Sequence, residues 1–68
     1  MKGWEKILST DELHRAEILK VFLDEHGIES QIINKKDSVY PMMSEAELYV
    51  EPENMVKAIY LMNKYPHE

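Results

Sequence analysis

Apolar positions recur at helical spacing in two stretches of this chain and alternate with polar ones in three others. Leu13, Ala16, Leu19, Phe22 and Leu23 follow the period of an amphipathic helix, with Ile18 and Val21 widening the stripe. Ser9 and Glu12 stand at capping-box spacing ahead of it, and Asp11 and Glu12 favour the positive end of a helix dipole. Gly27, after His26, suits the left-handed residue that ends a helix. The pattern predicts one helix from about Asp11 to His26. Met55, Ala58, Ile59 and Met62 form a second helical stripe. Pro52 opens it, because its missing N–H costs nothing in a first turn; Tyr65 precedes Pro66, so the helix ends near Lys64. Trp4 to Leu8, Ile28 to Ile33 and Ala46 to Val50 read as strands. Ile28, Ser30 and Ile32 share one face, as do Ala46, Leu48 and Val50. In the first strand Trp4, Lys6 and Leu8 alternate with Glu5 and Ile7, so neither face is cleanly apolar.

The order β-α-β-β-α restricts the topology. The first β-α-β returns parallel through a right-handed crossover, and a third strand inserted between the first two runs antiparallel to both. That is a ferredoxin-like α+β arrangement without its last strand, with both helices on one face of a three-stranded sheet. After the second helix only Tyr65-Pro66-His67-Glu68 follows, too short and proline-broken for a fourth strand. The Trp4–Leu8 edge is therefore expected to be open or closed by another chain, with Trp4, Lys6 and Leu8 as its interface residues. Trp4 itself fits core packing or an anchor on that edge.

Composition narrows the setting. At 68 residues the chain is one domain near the lower size limit for independent folding, and with no cysteine it has neither a disulfide nor a thiolate metal site to add stability. Small chains often gain stability by oligomerising, and a homodimer through two Trp4–Leu8 edges would be isologous and closed. A net charge of −5 opposes duplex nucleic acid and anionic membranes. No apolar run reaches transmembrane length, and Met1-Lys2-Gly3-Trp4-Glu5-Lys6 carries no apolar signal-peptide core, so a cytoplasmic setting is expected.

The chemistry-bearing segment is Asn34-Lys35-Lys36-Asp37-Ser38-Val39-Tyr40, read as part of a β-β connection. Lys35, Lys36 and Ser38 have the groups to hold a phosphate or carboxylate, and Tyr40 the ring to stack on a ligand. Asn, Asp and Ser are equally ordinary turn residues, and no glycine allows a phosphate-cradling backbone nest. Met42 and Met43 follow; they read equally as an adaptable partner surface or, with Tyr40, as a lid over the sheet. His14, His26 and His67 are dispersed, and two groups such as His14 and Glu17 do not make a metal site. No nucleophile motif or acid/base pair stands out, so neither catalysis nor a cofactor is expected.

Trp4 with Ile7-Leu8, the run Phe22-Leu23-Asp24-Glu25-His26-Gly27-Ile28-Glu29-Ser30, then Ile33-Asn34-Lys35-Lys36-Asp37-Ser38 and Glu47-Leu48-Tyr49-Val50, together resemble a family of small bacterial domains described as prokaryotic signal-transducing proteins, itself of unknown biochemical function. The resemblance spans nearly the whole chain and rests mostly on structural residues. It implies a GlnB-like ferredoxin-like framework and a role in signalling. In the related nitrogen-regulatory PII proteins the connection between the second and third strands contacts targets; the segment from Asn34 to Glu45 holds that place here. The leading expectation is a non-enzymatic regulatory module that binds a protein partner, or itself, through this connection and the first-strand edge. The alternatives are a sensor of a small anionic metabolite or nucleotide using Lys35, Lys36, Ser38 and Tyr40, and an accessory subunit of an enzyme encoded elsewhere.

Overall fold

A computed structural model describes residues 3–36 and 44–65 of the chain. Strand β1 (Glu5–Thr10) is followed by helix α1 (Leu13–Glu25), strand β2 (Ser30–Lys36) and strand β3 (Ser44–Val50). A 3-10 turn over Pro52–Asn54 then runs into helix α2 (Met55–Lys64). The sheet order is β1-β3-β2, with β3 antiparallel to both neighbours. This is the ferredoxin-like β-α-β-β-α arrangement expected from the sequence.

Leu48 and Val50 of β3, Leu19 and Leu23 of α1, Ile28, and Ala58 of α2 form one buried cluster, which puts both helices on the same side of the sheet. Ile7, Leu8, Phe22, Ile32, Met55, Leu61, Met62 and Tyr65 pack around it, half-buried. Helix α1 lies across all three strands, and α2 rests mainly on β1. The predicted inward set Ala46, Leu48, Val50 and Ile28, Ser30, Ile32 falls on this side, as the pleat requires.

Helix α1 ends as its sequence predicts. Gly27 has φ +80°; its N–H donates to the Asp24 carbonyl at 3.0 Å, and the Ile28 N–H donates to the Leu23 carbonyl at 2.9 Å. These two bonds define a Schellman motif, and the buried Leu23 and Ile28 supply the apolar contact that accompanies it. The start of α1 departs from the capping-box expectation. β1 continues to Thr10, so Ser9 is held in the sheet, opposite Glu47, and its hydroxyl donates to Glu45. The residue before the helix is Glu12, whose N–H donates to Thr10 Oγ1 at 3.1 Å.

Three further readings are corrected. In β1 the register slips between Lys6, opposite Tyr49, and Leu8, opposite Leu48. The extra residue, Ile7, forms a bulge that sends Lys6 and Leu8 to opposite faces, so Ile7 and Leu8 both reach the core. This is why the alternation of the first strand looked unclean. β2 and β3 extend further toward their connection than the hydrophobic pattern indicated, through the pairs Asn34–Ala46, Lys35–Glu45 and Lys36–Ser44. Asn34, Lys35 and Lys36 are therefore strand residues, because each further ladder step satisfies backbone groups. In α2, Ile59 is exposed, and Leu61 and Tyr65 take its place against the core.

Candidate functional site

The open side of the sheet is polar. Paired residues share a face, which puts Lys6, Ser9, Gln31, Ile33, Lys35, Glu45, Glu47 and Tyr49 on the side away from the helices. At its centre Glu47 is covered, its side chain 4% exposed. Three groups hold the carboxylate: Lys6 Nζ lies 3.3 Å from Oε2, Lys35 Nζ lies 3.3 Å from Oε1, and the Tyr49 hydroxyl donates to Oε1 at 2.9 Å. Lys6 and Lys35 reach Glu47 on the diagonal, from positions opposite Tyr49 and Glu45. The cover is three side chains rather than a layer of protein, so water still surrounds the half-exposed ammonium groups.

The Tyr49 hydrogen bond is the main influence that holds the Glu47 carboxyl below its ordinary pKa; burial opposes it, and Lys35 and Lys6 add to it. The same hydrogen bond pushes the Tyr49 phenol up, with burial acting in the same direction. Chemically the cluster is a polar plug in which two ammonium groups and a phenol share one carboxylate, with one positive charge in excess. Its carboxylate is fully engaged, and it keeps the exposed middle of the sheet from presenting an apolar surface.

The helix side is the opposite. Among the described residues the large apolar side chains left exposed are Leu13, Ile18 and Val21 on α1 and Val56, Ile59 and Tyr60 on α2. Val21 and Tyr60 are 56% and 57% exposed, and Val56 is 82%. A groove of about 420 Å³ runs along α1, lined by His14, Glu17, Ile18, Val21, Phe22, Glu25 and Tyr65. Its wall is fixed by aromatic packing: Phe22 meets Tyr65 edge-on at 4.7 Å between centroids and His26 at 4.6 Å. His26 Nδ1 lies 2.9 Å from the Phe22 carbonyl oxygen. A carbonyl only accepts, so Nδ1 carries the proton.

No family model, curated protein or solved structure matches this chain. The site therefore rests on its own geometry.

Of the residues singled out in sequence, Lys35 and Lys6 are brought together on Glu47. Lys36 pairs through its backbone with Ser44. Ser38, Tyr40, Met42 and Met43 lie outside the described residues, as does His67. Trp4 is half-buried just before β1, and Leu8 packs toward the helices. Along the outer edge of β1 no strand pairs among the described residues. Among the described residues no three His, Asp or Glu side chains gather to hold a metal.

Two features escaped the sequence reading. The Glu47 cluster was signalled by Glu47 and Tyr49 alternating with the inward Leu48 and Val50, but its lysines come from two other strands. The exposed apolar layer was signalled by the width of the helical stripes: Ile18 and Val21 exceed what one sheet face covers, and Val56 and Tyr60 lie outside the second stripe.

Proposed function

We propose that this chain is a non-catalytic regulatory interaction module that binds a protein surface through the outer layer of its two helices. The observation that carries this is the placement of Leu13, Ile18, Val21, Val56, Ile59 and Tyr60, all exposed, on α1 and α2. Exposed apolar side chains on both helices, with Ile18 and Val21 lining a groove, opposite a polar sheet face, favour this side as the one that is covered. The regulatory part rests on the sequence resemblance alone.

A second reading is strand addition at β1, favoured by its pairing with β3 alone among the described residues. The bulge at Ile7 and the exposed Glu5 and Lys6 shorten the stretch open to a partner strand, which makes this the lesser surface. An anion sensor built on Lys35 is supported less, because Lys35 is already drawn to the Glu47 carboxylate that it shares with Lys6.

The test places charges in the apolar layer. The Val21→Glu/Tyr60→Glu variant, with unchanged circular dichroism, is expected to lose the associations of the wild-type chain, measured by sedimentation equilibrium for itself and by affinity capture from its own cells for other proteins. If the variant keeps every association of the wild type, the helix layer is not the binding surface.

A further inference from the structure

Resting on that reading, we infer that the α1 groove takes a basic amphipathic helix of a partner protein, one that presents a cation, an apolar side chain and a second cation at successive positions four residues apart. Side chains four apart on a helix form a ridge, and helices pack by setting a ridge of one into the furrow between two ridges of the other. The six residues that α1 gives to the groove are two such ridges. Glu17, Val21 and Glu25 form one, and His14, Ile18 and Phe22 lie alongside as the other. Tyr65, edge-on to Phe22, completes the wall. The furrow between these ridges therefore has the shape that a second helix fills.

The order along the first ridge states the chemistry of that helix. An acid, an apolar side chain and another acid follow one another, and the central Val21 is 56% exposed. The two carboxylates are eight residues apart, about 12 Å along the helix. A basic, apolar and basic ridge with the same four-residue step matches them position for position. Because acid–apolar–acid reads the same from either end, charge fixes the register of the partner helix without choosing its direction.

The cations nearby leave the two acids uncompensated. Lys20 is paired with Asp24 at 3.3 Å. Arg15 is exposed on α1 but does not line the groove. Lys64, next to Tyr65, holds its Nζ 4.8 Å from the centre of the Tyr60 ring. Neither Glu17 nor Glu25 has an ion-pair partner among the described residues. The net charge of −5 adds a long-range attraction for a basic partner. Ion pairs between exposed side chains contribute little to affinity, so burial of Ile18 and Val21 supplies it, and the charges select the partner.

The test uses the full chain and a fluorescein-labelled, Ala-rich peptide of about 18 residues, long enough to form a helix when bound. Its one face carries Lys, Leu and Lys four apart, beside a row of Leu. Fluorescence anisotropy is expected to show saturable binding to the wild type. Glu17→Lys/Glu25→Lys, folded by circular dichroism, is expected to bind at least about tenfold more weakly. Glu29→Lys/Glu45→Lys makes the same change of net charge just before β2 and on the polar sheet face, and is expected to bind like the wild type. A second peptide with Glu in place of the two Lys is expected to prefer the Glu17→Lys/Glu25→Lys variant over the wild type. No binding to the wild type, equal losses in the two variants, or no gain for the acidic peptide would each overturn the inference. Self-association of the wild type that is lost in Glu17→Lys/Glu25→Lys would seat a second copy in the groove and overturn it too. If captured partners survive Glu17→Lys/Glu25→Lys but are lost in Val21→Glu/Tyr60→Glu, the basic helix is overturned alone and the interaction module stands.

Discussion

Glu47 and Val56 mark the two sides of this molecule: a carboxylate with 3% of its surface exposed and an aliphatic side chain with 82% exposed. An uncovered sheet face usually stays soluble by pointing single polar side chains at water. Here the exposed face goes further and ties Lys6, Lys35 and Tyr49 to a covered carboxylate at its centre. The helices, whose outer faces are ordinarily polar, carry exposed apolar groups among their charges. The difference separates a surface built to remain in water from one built to leave it. It also explains why the Glu47 cluster is a poor candidate for binding: its lysines, carboxylate and phenol are already engaged with one another.

The sharpest way to break this contrast is to compare core and layer directly. Leu48 is fully buried between the sheet and both helices, and Val56 is in water. Leu48→Ala is expected to cost about 2–5 kcal/mol in urea denaturation. For a chain of this size, with a total of about 3–10 kcal/mol, that is much or all of its stability. Val56→Ala is expected to stay within about 0.5 kcal/mol of wild type when the chain is dilute. Equal losses for the two would mean that Val56 is buried in the folded monomer and that the helix layer is part of the core.

A smaller effect tests how dry the helix side of the sheet is. Ser30 is fully buried on that side, opposite Val50, and its Oγ finds no hydrogen-bond partner among the described residues. A buried hydroxyl without a partner carries its desolvation cost uncompensated. Ser30→Ala is expected to raise the stability by about 1 kcal/mol. A loss of that size would place a polar partner or a water against Ser30 and make this side of the sheet wetter than its neighbours suggest.

The fold was legible because its signals are local and agree with one another. Gly27 closes α1 where a left-handed residue is needed, Pro52 opens the turn into α2, and the alternation in β3 assigns Ala46, Leu48 and Val50 to the core. The misread positions depend on pairing between distant residues. A bulge at Ile7 is visible only against Tyr49 and Leu48, and Ser9 is held out of a capping box only by the continuation of β1 beside β3. The Glu47 cluster draws one lysine from each flanking strand, so no spacing within a segment announces it. Lys35 invited a reading as an anion ligand because a sequence shows a positive charge without showing the carboxylate beside it.

The finest test of the polar side is its response to acid. Replacing Glu47 by Gln keeps an oxygen for the Tyr49 hydroxyl but removes the charge that Lys6 and Lys35 share. Because those ammonium groups are half-exposed and can turn to water, the drop in melting temperature at neutral pH is expected to be the smallest of the destabilising effects in the folded core and sheet. Its pH dependence is the distinguishing sign. The folded carboxyl titrates below its ordinary value of 4.5, so its contribution is complete above that value and is lost as the pH falls through the folded pKa. Wild type and Glu47→Gln should therefore differ most near neutrality and converge in acid, with added salt narrowing the neutral gap. A gap that stays constant from neutral pH into acid would mean that Glu47 acts by shape and not by charge. The open face would then owe its polarity to separate side chains, each solvated alone, and the contrast with the helix layer would lose its organising centre.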